Sequence, residues 1–154
     1  NTGECAHIAI YLKNMAYILD DVESDTMLRV SAGIKRTTYL HCTAVGKALL
    51  AFSDINVPSD MPKFTERTLT DKLAFQTHLK DIRKEGFALD DEEMEIGVSC
   101  IAAPVFNHFD QCIASIGISG PSVRVNHDNI KRLSKIIIDT GFQLSHIIGH
   151  NRHE

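Results

Sequence analysis

Apolar residues recur along this chain with two different periods, one helical and one of strands. Over residues 70–86 (TDKLAFQTHLKDIRKEG), Leu73, Phe75, Leu79 and Ile82 fall near one face at close to the 3.6-residue period. Gly86 follows directly on Arg83 and Lys84, the helix-stop pattern of a glycine cap behind a basic last turn. Residues 40–52 (LHCTAVGKALLAF) predict a second helix with Thr43 as its N-cap. Gly46 in its first turn costs about 1 kcal/mol relative to Ala, so close approach by another backbone or a ligand is expected there. A last helix is predicted from Asn126 or His127, through Ile130, Leu133, Ile136, Ile137, Phe142 and Leu144 toward Ile148, with Gly141 as a kink site.

Elsewhere the runs are short. Residues 5–11 and 16–22 are β-rich and joined through 12–15, where Asn14 is a turn residue, so they predict a hairpin. Residues 27–31 read as a third strand, ended by Gly33, with 35–38 as a polar link. Residues 98–106 form an apolar strand, His108 to Gln111 a tight turn, and 112–119 a returning strand that Gly120 and Pro121 break. Residues 53–63, with Pro58 and Pro62, read as loop. Asp90, Asp91, Glu92 and Glu93 fall on a connection between helix and strand. Hairpins, then helices, then a hairpin and a helix give an α+β fold, an antiparallel sheet flanked by helices.

Composition narrows the class. The 154 residues suit one domain, 44% hydrophobic and 23% charged. No apolar run approaches the ~18 residues of a membrane helix, so no membrane partner is expected, and the first residues lack a signal-peptide layout. Cys5, Cys42, Cys100 and Cys112 show no paired spacing, which reads as free thiols in the cytoplasm. The net charge of −4 without a basic cluster makes the chain by itself a poor DNA binder.

Metal and catalytic chemistry find little support. His41 and Cys42 stand near one predicted helix and Cys100 on a strand, but no spacing supplies a zinc set, and no metal or other cofactor is expected. His146, His150 and His153 read as a solvated tail. Cys100 as nucleophile with His41 or His108 as base would need an electropositive setting. The acids around Asp90 push the thiol the other way, so no catalytic residue is assigned.

Residues 86–107 carry the specific signal. Gly86, Asp90, Glu93, Cys100, Ile101, Ala102, Val105, Phe106 and Asn107 fall where the signature of the IclR family of bacterial transcription regulators places its constrained positions. The run LHCTAVGKALLA is similar to a second family segment, and the resemblance covers nearly the whole chain. It implies a GAF-like or profilin-like effector-binding domain spanning residues 1–154. It further implies that the winged helix-turn-helix that binds DNA in the family belongs to a longer parent and is absent from this chain. It also implies a homodimer or homotetramer.

The resemblance implies a site as well. Family residues that bind small organic acids align with Ala44, Val45, Asp90, Val98, Cys100 and Ser119, and an apolar wall aligns with Met27 and Val30. Gly117 stands where some relatives have Ser. The physical case starts from the 43–52 helix, whose first amides are unpaired and whose residues Ala44, Val45 and Gly46 have no long side chains, a ready anion site. Asp90 would accept from a ligand hydroxyl, with Cys100 and Ser119 as small, weakly polar contacts. A carboxylate beside an ionised Asp90 is unfavourable unless the two are apart or share a proton. The effector expected is therefore an oxo-, hydroxy-, sugar or aromatic acid. The alternative is an oligomerisation module with no functional pocket.

Overall fold

The computed structural model describes residues 2–31 and 36–151. The expected strand end at Gly33 and Lys35 in the link lie outside the described residues. The elements are β1 (Cys5–Leu12), β2 (Met15–Val22), β3 (Thr37–Thr38), α1 (Ala44–Phe52), α2 (Lys72–Glu85), β4 (Ala88–Asp91), β5 (Val98–Phe106), β6 (Cys112–Pro121) and α3 (Ile130–Ile147). The six strands form one antiparallel sheet in the order β3-β2-β1-β6-β5-β4.

Strand alternation sorts the helices onto opposite faces. A Cβ at Gly117 would meet Val45 Cγ1 at 3.3 Å and Ala102 Cβ at 3.1 Å, so positions 102 and 117 lie under α1. A Cβ at Gly141 of α3 would meet Pro104 O at 2.7 Å, with Ala103 and Ile116 beside it on the other face. Each face has its own core. One joins Ala48, Leu49, Leu50, Phe75, Leu79 and Ile82 to Ala9, Ala88 and Ala102; the other joins Leu133 and Ile137 to Ile101, Ala103 and Ile118.

Several local expectations hold. Thr43 caps α1, its Oγ1 accepting from Gly46 N at 3.2 Å. Gly86 ends α2 in the left-handed conformation at φ 81°, its N–H donating to Ile82 O. Lys13 and Asn14 both take positive φ in the two-residue β1–β2 turn.

Other expectations are corrected. Residues 27–31 form no strand, because no neighbouring strand pairs with them. Leu73 is exposed, and the buried face of α2 is Phe75, Leu79 and Ile82. Asp90 and Asp91 lie in β4, paired with Cys100 and Ser99, rather than on a loop. β6 runs on through Gly120 and Pro121, which pair with Ser99 and Val98. α3 is capped at Asn129, two or three residues later than expected, because Asn126 and Asn129 spend their side chains on the preceding turn. It runs unbroken past Gly141, which is small so that the helix can lie on Pro104. His150 is buried, with Nδ1 3.1 Å from Asp110 Oδ1, so it is not part of a solvated tail.

Candidate functional site

Four strands bring one row of side chains into register on the α1 face. Asp90 of β4 pairs with Cys100 of β5, Cys100 with Ser119 of β6, and Ser119 with Cys5 of β1. The next row is Ala88, Ala102, Gly117 and His7. Small residues there let α1 settle close to the sheet, with Ser115 Oγ donating to Val45 O at 3.0 Å. The amino end of α1 therefore stops above the first row and leaves a cavity of about 330 Å³.

Val30, Ala44, Val45, Asp90, Val98, Cys100 and Ser119 line this cavity together. Three other candidates do not. Met27 is fully exposed, because the segment carrying it runs outside the sheet. Gly46 does not line the cavity. Its N–H is held by Thr43, and a Cβ there would sit 2.5 Å from Leu40 Cα and 2.7 Å from Tyr39 O. A neighbouring backbone is thus the reason for the glycine. Gly117 lies under Val45, and a Cβ would come within 2.7 Å of Ile101 O, so a serine has no room there.

Cys5, His7, Ile18, Ser31, Thr37, Thr38, Thr43, Met94 and Glu95 also line the cavity, beyond the residues the resemblance implies. For Cys5 and His7 a signal existed, since period-two alternation puts them on one face of β1. What it lacked was the register that sets Cys5 opposite Ser119.

Lys47 is a further residue of the site's frame. It is fully buried beneath the site, where Nζ donates to Leu89 O, to Glu93 Oε1 at 2.5 Å and to His78 Nε2 at 3.2 Å. The unbroken apolar run around it was a hint, because a lysine inside one must be buried with partners.

The electrostatics favour neutral groups. Burial raises the Asp90 carboxyl from 3.8 to about 7, and the charge of Glu93 adds to this. The Glu93 N–H at 2.8 Å and the cation of Lys47 act the other way without cancelling it. Burial lowers His7 to about 4 despite Asp21, so its ring is neutral near pH 7. Burial and Asp90 both push the Cys100 thiol up, and its Sγ lies 3.0 Å from Ser119 Oγ. A thiolate nucleophile is disfavoured by that setting. No Lys or Arg stands among the described lining residues.

Ala44 and Val45 bring the amino end of α1 to the cavity. As the first two residues of α1 they have no carbonyl four residues back within the helix. Among the described residues no group of three or more His, Cys, Asp and Glu comes together as a metal site. Among them, too, no helix is long and apolar enough to cross a membrane.

Known proteins share this architecture. The chain is 33% identical to the HTH-type transcriptional regulator BhcR of Paracoccus denitrificans, over 94% of this chain and 54% of that protein. It is 30% identical to the HTH-type transcriptional repressor AllR of Escherichia coli K12, over 99% of this chain and 58% of that protein. It thus spans little more than half the length of these relatives. The crystal structure of the Thermotoga maritima IclR superposes with a TM-score of 0.87 at 27% identity, covering 97% of this chain and 63% of that one. The profile described as "Bacterial transcriptional regulator IclR C-terminal" matches residues 1–146. The chain belongs to the IclR family of bacterial transcriptional regulators, as its C-terminal, effector-binding domain.

Proposed function

We propose that the 330 Å³ cavity binds a small organic acid, with its carboxylate on the amides of Ala44 and Val45 and its other polar end over Asp90, Cys100 and Ser119. One observation carries this reading. A polar row in register across four strands faces the open end of a helix, over a cavity of ligand size. The raised pKa of Asp90 removes the conflict between two carboxylates. A protonated Asp90 donates a hydrogen bond to an acid, and the bound anion draws that proton on more firmly. The hydroxyls of Ser31, Thr37, Thr38 and Ser119 favour an oxo-, hydroxy- or sugar acid over an aromatic one.

The acid then acts by preferring one conformation of the domain. Its effect on the equilibrium equals its difference in affinity for the two states. In the parent regulator that shift would reposition helix-turn-helix domains attached to a homodimer or homotetramer, which supply the DNA contacts this chain, at −4, does not. The relatives' names, a regulator and a repressor of HTH type, support this role, and it is a binding rather than a catalytic one.

A thermal-shift panel of oxo-, hydroxy-, sugar and aromatic acids tests the proposal. An acid at 100 times its Kd stabilises the fold by about 2.7 kcal/mol. Asp90→Ala and Ala44→Arg should abolish the shift. Unchanged affinity in both variants would place the site elsewhere, and a silent panel would leave an oligomerisation module.

A further inference from the structure

We infer that Arg124 is a positioning residue for the cavity: with Glu4 it clamps the 24–31 segment, whose end forms one wall, to the start of β1. The inference rests on the proposed reading of the cavity as the effector site.

Arg124 makes three hydrogen bonds to two pieces of chain far from it in sequence. Nε and Nη2 donate to the two Glu4 carboxylate oxygens at 2.5 and 2.9 Å, the bidentate geometry that only a guanidinium gives. The second hydrogen of Nη2 donates to Leu28 O at 2.6 Å, and Thr26 Oγ1 lies 3.3 Å from the same nitrogen. Ser24 Oγ adds a fourth bond, to Gly3 O at 2.5 Å, and lies 2.7 Å from Thr26 Oγ1.

The sheet is shaped to receive this clamp. The Glu4 side chain is only 5% exposed although it carries a carboxylate. It lies over Gly120, where a Cβ would come within 2.6 Å of Oε2 and 2.7 Å of Cδ. Gly120 has no positive φ, so room for Glu4 is the reason for a glycine there. Gly120 follows Ser119 and faces the opposite side of the sheet. The 24–31 segment is thus fastened behind the sheet and presents Val30 and Ser31 to the cavity in front. Since 27–31 pairs with no strand, these bonds take the place of a ladder. Movement of that wall on ligand binding would pull directly on Glu4, and so on the chain where β1 begins.

Cysteine labelling tests this without a ligand. Cys100 lines the cavity, whereas Cys42 is buried outside its lining. In the full chain, N-ethylmaleimide labelling mapped by mass spectrometry should accelerate at Cys100 by about tenfold in Arg124→Ala, through local opening of the wall, with Cys42 unchanged. Gly120→Ala displaces only the flexible end of Glu4 and a Val125 methyl, and should reproduce the effect. Arg124→Lys keeps the charge without the fork and should fall between wild type and Arg124→Ala. Hydrogen exchange over 24–31 should rise in the same order. A Cys100 rate within about twofold of wild type in folded Arg124→Ala or folded Gly120→Ala overturns the inference, as does equal acceleration at Cys42, which signals global loosening. An acid panel that finds nothing changes none of these outcomes, so this inference and the cavity reading fail separately.

Discussion

Replacing Asp90 by Asn should flatten the stability of this domain against pH above pH 5. The Asp90 carboxyl is 1% exposed, and its pKa in the fold is raised from 3.8 to about 7. The folded chain therefore holds a proton that the unfolded chain has already lost. Stability from such a group is complete below the unfolded pKa and is lost as pH rises through the folded one. About three powers of ten in proton affinity, at 1.36 kcal/mol each, amount to about 4 kcal/mol. Linkage puts about 1.7 kcal/mol of the loss below pH 5 and about 2.6 kcal/mol between pH 5 and pH 8.

Asn at 90 keeps an oxygen to accept from Glu93 N and has nothing to ionise. His7 and His78, both lowered to about 4, lose their contribution as pH falls below 6.5, but they do so equally in both proteins. Urea denaturation at half-unit steps should show wild type and Asp90→Asn nearly equal at pH 5. By pH 8 the wild type should have lost about 2–3 kcal/mol more than the variant. Parallel curves over that range would refute a neutral Asp90, and with it the proton-sharing account of acid binding.

Two further substitutions probe the frame around the site. Lys47→Met strips the cation from a buried Glu93 whose Oε2 has no hydrogen-bond partner, and should cost about 3–5 kcal/mol in urea denaturation. Lys47→Met with Glu93→Leu should regain most of that, and a single variant losing under about 1 kcal/mol would contradict the pairing. Gly117→Ser places a Cβ 2.7 Å from Ile101 O and 3.3 Å from Val45 Cγ1, so in urea denaturation it should cost about 1–3 kcal/mol of stability through overpacking rather than improve acid binding.

Features encoded within a few residues were legible in the chain. Thr43 three positions before Gly46, and Gly86 behind Arg83 and Lys84, are local devices that work wherever the helix sits. What could not be read were partners. A short run such as 27–31 becomes a strand only if another strand is free to pair, and here none does. Asp90 looked like loop because four acids in a row do, yet β5 supplied a ladder for the first two. Seven of the ten candidate site residues meet at one cavity, and of these Asp90, Val98 and Cys100 fall inside residues 86–107, whose spacing matches the pairing of β4 with β5. Gly46 and Gly117 misled because a glycine announces close approach without naming what approaches, and in both cases it is the protein itself. Lys47 stayed hidden because a lysine is normally solvated, and only the apolar run around it says otherwise.

The central claim is that a small acid sits between the amino end of α1 and the Asp90–Cys100–Ser119 row. An amide NMR titration of the ¹⁵N-labelled chain with the acid giving the largest thermal shift tests it most directly. The account predicts saturable shifts concentrated at Ala44, Val45, Asp90, Cys100 and Ser119, all lost in Ala44→Arg. Shifts centred instead on the cleft lined by Phe52, Pro104 and Phe142, with Ala44 and Val45 unmoved, would contradict it.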